Sequence, residues 1–560
     1  MEQKSTYLKK LFHEKKYSEI IDIIHNKIEE KDKNSGLLNL LGVCKLLNDS
    51  SGNARISAQE DFRKAYLKEK KTLNAFDALK NFINITVDIF DIEFREGRSV
   101  PEKFFDEILL YFNENKDYFS KDEGLASAIV RVFKRNLDID NTIYYLNKLI
   151  EVNGNNLDAL ASLIYWNTFK GDWDQKKYLE YSKILSEKLP SYPNTKLFNL
   201  SSFKNEKINL GFLSSDMIST HSVTHFLKTV LADYDKKKIN IFLYINNKKE
   251  DETTQELKKY SFKSTNISGL EDIDAINTIR NDKIDIMIDL MGLTSDHRLQ
   301  LFKNRLANKQ VSWCGYCNTT GLDQMDYIIT DKHLVLESEE NLYSEKVIKL
   351  DNIWNSHAGF SYEREFIIAP FNSNRFITFG SFNNFRKINE NVIDVWSSIL
   401  RNVENSKLVL KSSDVSVIDR ISKKFKKNGV FNSIEFLPHK KKISEHLNEY
   451  KKIDIALDTF PYNGVTTSFE AIWMGVPVLT MKGFNFNSRC GESINKNLNL
   501  NDLIAENEND YIDKAIALTK NKKILDLRKL IYDNALKSPL FDKKKFSKQF
   551  FSLMEKIYAK

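Results

Sequence analysis

The chain has 560 residues, too many for one core, and its 41% hydrophobic and 29% charged content is that of a folded protein of two or three domains, not a disordered one. The net charge of +7 is a small excess of 84 basic over 77 acidic residues, and the runs Lys440-Lys441-Lys442 and Lys543-Lys544-Lys545 are short, so a solvated surface is expected and not a nucleic-acid interface. There is no stretch of about 18 apolar residues, the start Met1-Glu2-Gln3-Lys4 has no signal-peptide core, and the four cysteines are too scattered for a disulfide framework, which together predict a cytosolic protein with no membrane span.

From Ser5 to about Pro190 the apolar residues recur at helical spacing, as in Tyr17 to Ile24 and Leu146 to Val152. Leu37 to Gly42 followed by Ala58 to Leu67 reads as a helix pair with a small residue at the crossing. Leu157 to Leu189 reads as another pair, broken at Gly171-Asp172-Trp173. Units of about 34 residues built this way predict tetratricopeptide-like repeats over residues 1–195, with helices but no clear register from Ala75 to Asp138.

After Asn194 the pattern changes to short apolar runs alternating with helical stretches. The runs are Ile208 to Leu213, Ile239 to Ile245, Ile284 to Leu290, Val311 to Trp313, Tyr327 to Ile329, Phe376 to Phe379, Leu408 to Leu410, Ile434 to Phe436, Ile453 to Leu457 and Val476 to Leu479. Continuous apolar strands separated by helices predict parallel sheets covered on both faces. With a linker near Ser361 to Asn374, two doubly wound domains are expected, over residues 206–365 and 370–560, with ligands held outside the carboxyl ends of the strands.

Three segments at such strand ends carry chemistry. In Asp454 to Ile494 a buried strand runs into the turn Pro461-Tyr462-Asn463-Gly464 and a helix opening at Thr466-Thr467. A helix N-terminus after a glycine turn is an anion site, the threonines add hydroxyls, and Glu470 one turn on suits a ribose hydroxyl, so a nucleotide diphosphate is the natural guest. In Leu213 to Phe226, His221 follows the first strand and is placed to hydrogen-bond a sugar hydroxyl or phosphate. His221 and His225 have i, i+4 spacing, but Ser222 stands where a zinc HExxH motif has glutamate, so metal is not expected. In Phe379 to Asn389, Lys387 sits in a strand-to-helix turn where its ammonium can neutralise a departing diphosphate. Cys314-Gly315-Tyr316-Cys317 is read as packing and not as a redox couple, and the triplets Asp138-Ile139-Asp140 and Asp272-Ile273-Asp274 lie in helical surroundings where they carry no metal-bound sugar nucleotide.

Taken in order, GFLSSDMISTHSVTHF, RLANKQVSWCGYCNTTGLDQMDYIITD, FGSFNNFRKINENVIDVW, ALDTFPYNGVTTSFEAIWMGVPVLTM, SRCGESI and SPLFD resemble the O-linked N-acetylglucosamine transferases of the SPINDLY type, in their bacterial form. The resemblance spans roughly Ile208 to Asp542 and is looser before it. It implies tetratricopeptide repeats followed by a GT-B pair of Rossmann-like domains. It also implies inverting transfer of N-acetylglucosamine from UDP-N-acetylglucosamine to serine or threonine hydroxyls of a polypeptide held by the repeats, with no metal or other cofactor. By motif, His221 resembles the active-site histidine and Lys387 the lysine that stabilises the diphosphate. Asn384 stands where the family has a Gln or Asn near the uracil or phosphate, and His446 resembles the family's nucleotide-contacting histidine. Gly464, Thr466, Thr467 and Glu470 correspond to the diphosphate and ribose contacts, and Thr319 to the donor-sugar loop. Leu293 replaces a His or Tyr of many members, the family's Gly-Tyr-Pro-Gly-Thr is here Gly315-Tyr316-Cys317-Asn318-Thr319, and Val465 replaces a histidine of animal members. These departures leave open another UDP-hexose, an asparagine or glycan acceptor, or a repeat scaffold whose transferase region has decayed.

Overall fold

A computed structural model describes residues 2–95, 103–192, 205–219, 221–520 and 523–559. It divides into two compact units, Met1–Ala159 and Leu160–Lys560. The boundary expected between residues 195 and 206 falls largely outside the described residues.

Among its described residues the first unit has only helices and their connections, with successive helices that include Ser35–Asn48, Gly52–Lys68, Leu73–Arg95, Glu123–Arg135 and Ile139–Val152. Polar side chains fix several of the starts. Asn34, Ser51, Asp122 and Asp138 each accept a hydrogen bond from a backbone N–H in the first turn, satisfying donors the helix cannot. Gly42 is the small residue at a crossing: a Cβ there would lie 2.6 Å from the Phe62 ring of the next helix. The triplet at Asp138 is thus a helix start, and so is that at Asp272, which opens Asp272–Asn281.

A helical hairpin, Leu157–Lys170 and Gln175–Lys188, whose first helix carries the unit boundary, is turned by Gly171 at φ +81° and by the Asp174 cap on Lys177 N. Two parallel sheets follow. The strands of the first are β1 Ile208–Ser214, β2 Ile239–Ile245, β3 Lys263–Asn266, β4 Ile286–Asp289, β5 Lys309–Ser312, β6 Tyr327–Asp331 and β7 Lys346–Leu350, in the order β3-β2-β1-β4-β5-β6-β7. The second contains β8 Thr378–Ser381, β9 Lys407–Lys411, β10 Ile434–Leu437, β11 Ile455–Leu457, β12 Val478–Met481 and β13 Ile504–Ala505, in the order β10-β9-β8-β11-β12-β13. Each sheet is doubly wound and changes direction beside its first strand, β1 against β4 and β8 against β11, which opens a crevice at the carboxyl ends there.

Leu210, Phe212, Ile286, Ile288 and Val311 are completely buried because helices cover both faces of the first sheet. One of these helices is the last of the chain. Lys543–Tyr558 sends Phe546, Phe550, Phe551, Met554 and Ile557 into the core of the first sheet, whereas the sequence division 370–560 keeps it with the second. Its apolar stripe has no label saying which sheet it covers. The two halves also share a core, in which Phe226 meets Phe469 and Trp354 meets Phe486. Arg489 joins them through a bidentate ion pair with Glu339, and the Ser493 hydroxyl donates to Asp331.

Candidate active site

The carboxyl ends of both sheets face a cavity of about 270 Å³. The second half contributes Asn383, Asn384 and Lys387 after β8, and Tyr462, Val465, Thr466 and Thr467 after β11. The first half contributes His221 after β1, Thr294 after β4, and Cys314, Gly315 and Cys317 after β5. Tyr165 enters from the helical hairpin.

Lys387 is held at this wall by two contacts. Its Nζ donates to Asn463 O at 2.7 Å and lies 4.3 Å from the centre of the Tyr462 ring, whose plane is stacked at 5.1 Å on Phe169 of the hairpin. Asn389 ties the same place together by donating to both Phe169 O and Phe460 O. Burial pushes the Lys387 amine down to about 8, with the Asp458 carboxylate opposing that shift. Near neutrality it is therefore still an ammonium, little hydrated and close to its titration point. Such a group gains more from an arriving diphosphate than a surface lysine would.

Beside it the helix Thr466–Trp473 points its N-terminus into the cavity, and its N-cap Val465 offers no side-chain acceptor. Its first N–H groups are thus left for an anion. The Thr467 hydroxyl donates to Asn383 Oδ1 at 2.8 Å, so in this state it presents lone pairs and not a proton. Gly464 holds the turn: its N–H donates to Asp458 Oδ1 at 2.6 Å, and a Cβ there would stand 2.6 Å from Thr467 Oγ1. Asp458 is completely enclosed and also accepts from Thr459 N and Thr480 Oγ1, and burial pushes its carboxyl up to about 6.

On the facing wall His221 is the N-cap of the helix Ser222–Leu231 and not a residue within it, so it shares no helix face with His225. His225 instead stacks on His357 at 5.1 Å. His221 Nε2 lies 3.6 Å from Asp216 Oδ1. Asp216 Oδ2 and His221 Nδ1 are both buried without a hydrogen-bond partner. Burial raises the Asp216 carboxyl, which His221 opposes. This pair can take up or share a proton at the cavity wall.

The structure brings His221, Asn384, Lys387, Thr466 and Thr467 to one cavity, with Gly464 just behind them. Three other expected residues do not line the cavity itself. Thr319 is completely buried, and its hydroxyl is occupied by Glu345 and Ser344. Glu470 and His446 stand beyond the lining, where His446 Nε2 meets Glu470 Oε2 at 2.8 Å and Tyr450 OH donates to the same oxygen at 2.9 Å. Leu293 is buried, next to Gly292 at φ +55°, whose Cβ position is filled by Tyr316. Sequence reasoning assigned no role to Asp216, Asn383, Tyr165 or Tyr462. Asp216, Asn383 and Tyr462 sit in the motif segments already singled out, but nothing in the residue order marks Tyr165 as reaching a strand end. The thiols of Cys314, Cys317 and Cys490 form no disulfide; Cys490 Sγ donates to Phe486 O at 3.4 Å, and Cys317 Sγ to Cys314 O at 4.0 Å. Among the described residues no group of three or more His, Cys, Asp or Glu side chains is arranged to hold a metal ion, and no helix is long and apolar enough to cross a membrane.

Glycosyl transferase family 41 matches residues 178–357 and 371–550, more than half of the chain. The chain belongs to glycosyl transferase family 41. Within it, this family 41 chain is 32% identical over 407 residues to a tomato (Solanum lycopersicum) protein described as a probable UDP-N-acetylglucosamine–peptide N-acetylglucosaminyltransferase SPINDLY, covering 71% of this chain and 44% of that one. A barley (Hordeum vulgare) protein of the same description is 34% identical over 349 residues, 60% of this chain and 37% of its own length. The chain thus spans less than half the length of these curated relatives. A mutant of the O-GlcNAc transferase of Thermobaculum terrenum superposes with a TM-score of 0.79 at 21% identity, covering 94% of this chain and 98% of that one. The fold is therefore GT-B preceded by helices, and the resemblance to the SPINDLY and O-GlcNAc transferase group holds.

Proposed function

We propose that this family 41 chain is an inverting, metal-independent glycosyltransferase that moves N-acetylglucosamine from UDP-N-acetylglucosamine to serine or threonine hydroxyls of a polypeptide. The observation that carries the reading is the juxtaposition of the Lys387 ammonium with the uncapped N-terminus of Thr466–Trp473 in one cavity. Together they supply fixed positive charge for a diphosphate leaving group, the role a divalent cation has in other transferases.

With the diphosphate on the second half, the sugar extends towards the first half, where His221, Thr294 and Cys317 line the cavity. An acceptor hydroxyl entering from that side attacks the anomeric carbon opposite the leaving group, which inverts the configuration. Its proton has the Asp216–His221 pair close by. The names of the tomato and barley relatives favour UDP-N-acetylglucosamine and a peptide acceptor. The helical unit is the reading's candidate for holding that polypeptide.

The test is incubation of the full chain with candidate polypeptides and a panel of UDP- and GDP-sugars, followed by intact-protein mass spectrometry. The expected result is a mass increase of one or more N-acetylhexosamine units with UDP-N-acetylglucosamine alone. Addition of a different sugar would replace the donor assignment. Failure to bind or turn over any nucleotide sugar would overturn the enzyme reading in favour of a scaffold.

A further inference from the structure

Behind the diphosphate wall, at the carboxyl ends of β8 and β9, lies a buried polar quartet that the sequence motifs cover only in part. Lys411, the last residue of β9, is 3% exposed. Its Nζ contacts Nδ1 of His446 and stands 5.5 Å from the centre of the Phe382 ring. His446 Nε2 and Tyr450 OH both reach Oε2 of Glu470, itself 6% exposed. Glu470 lies on the helix whose N-terminus faces the diphosphate position, and Phe382 precedes the cavity residue Asn383. The quartet is therefore placed where the nucleoside of a docked nucleotide would extend.

The donor inventory fixes the protons. An ammonium donates and cannot accept, so His446 Nδ1 is the acceptor and the proton of the neutral ring sits on Nε2. That N–H then donates to Glu470 Oε2, where the Tyr450 hydroxyl also donates. Both bonds converge on one oxygen, and among the described residues Oε1 has no hydrogen-bond partner. A carboxylate with one oxygen pinned and the other free is preorganised to accept from a vicinal diol. A purely structural role does not explain Lys411. Its hydrogen-bond partner is an imidazole and not a carboxylate, burial pushes its amine down to about 8 with Glu470 and Glu449 opposing and Lys440 and Lys452 reinforcing, and a leucine or methionine would fill the site without that cost.

We propose that Lys411 is a positioning residue for the donor's ribose: by holding His446 as its Nε2–H tautomer it fixes Glu470 with Oε1 turned to the 2′,3′-diol. This rests on the nucleotide-sugar reading above. The consequence is selectivity for ribonucleotides that depends on a residue which need not touch the ligand.

Calorimetric titration of the full chain with uridine diphosphate and with 2′-deoxyuridine diphosphate tests this. The wild-type chain should prefer the ribonucleotide by about tenfold, the scale of one hydrogen bond to a charged group. In Lys411→Met that preference should collapse to within about twofold, the KM for the donor should rise, and kcat should change little. Lys411→Gln retains an N–H donor and should recover part of the preference. Unaltered circular dichroism and melting of both variants shows that folding is intact. If the wild-type chain binds neither nucleotide, the reading of the cavity fails. If it binds uridine diphosphate but shows no ribose preference, or if Lys411→Met keeps the preference, the role given to Lys411 is overturned.

Discussion

Replacing Lys387 by methionine should remove a pH dependence as well as a charge. In the unliganded cavity the amine titrates at about 8. A bound diphosphate supplies two or more negative charges and draws it back towards the ordinary lysine value of about 10.4. Binding above about pH 8 must therefore take up a proton. Apparent affinity for uridine diphosphate falls about tenfold between about pH 7 and about pH 9, or about 1.4 kcal/mol. Lys387→Met should bind more weakly at about pH 7 and lose less as the pH rises. Lys411, also pushed down to about 8, stays in both proteins and cancels in their ratio. Isothermal titration in two buffers of different protonation enthalpy counts the proton directly. Stability carries the same signature. Because the folded-state value lies below that of the unfolded chain, the unfolded chain holds more protons between about pH 8 and about pH 10.4, and the wild-type protein gains stability relative to the methionine variant as the pH rises through that window. Two units would amount to about 3 kcal/mol, and the partial exposure of Lys387 at the cavity reduces this to about 1–3 kcal/mol. A constant affinity ratio between wild type and variant from about pH 7 to about pH 9 would refute the argument.

Two further outcomes follow from the geometry. Phe550 is fully buried and lies 4.7 Å from Trp313, so Phe550→Ala should destabilise the catalytic unit by about 3–5 kcal/mol, read as a shift of the urea midpoint by tryptophan fluorescence. A loss below about 1 kcal/mol would mean that the last helix is not needed to close the first sheet. Sugar transfer should persist in excess chelator, and an activity lost there and restored by Mn²⁺ would sink the role assigned to the Lys387 ammonium.

The central strands were legible in the sequence because parallel strands covered on both faces read as unbroken apolar runs. The strands it missed are three of the four edges, β10 alone having an apolar run. β3 is Lys-Ser-Thr-Asn, β7 alternates as Lys-Val-Ile-Lys-Leu, and β13 has two residues. Each has a neighbour on one side only and stays partly wet or very short, so it has no continuous hydrophobic signature. At the site, His221, Lys387 and the Thr466-Thr467 turn, singled out by motif position, meet at one cavity because strand ends in this topology converge. Thr319 lies away from them, engaged by Glu345, a neighbour in space 26 residues on in the chain. The links of Tyr165 and Phe169 to Tyr462 span nearly 300 residues and leave no periodic trace.

The stack of Phe169 on Tyr462, with Lys387 over the same ring, bears on how such chains can be recombined. Gly171 lies so close to Pro461 that a methyl group would collide at 2.7 Å, and Gln175 Nε2 donates to Asn318 Oδ1 on the other half. The hairpin is moulded to both sheets. A swap of helical arrays between relatives that cut at the start of β1 would graft a foreign surface against Lys387 and Tyr462. A seam that keeps these contacts lies upstream of Leu157, so that Leu157–Lys188 travels with the two sheets.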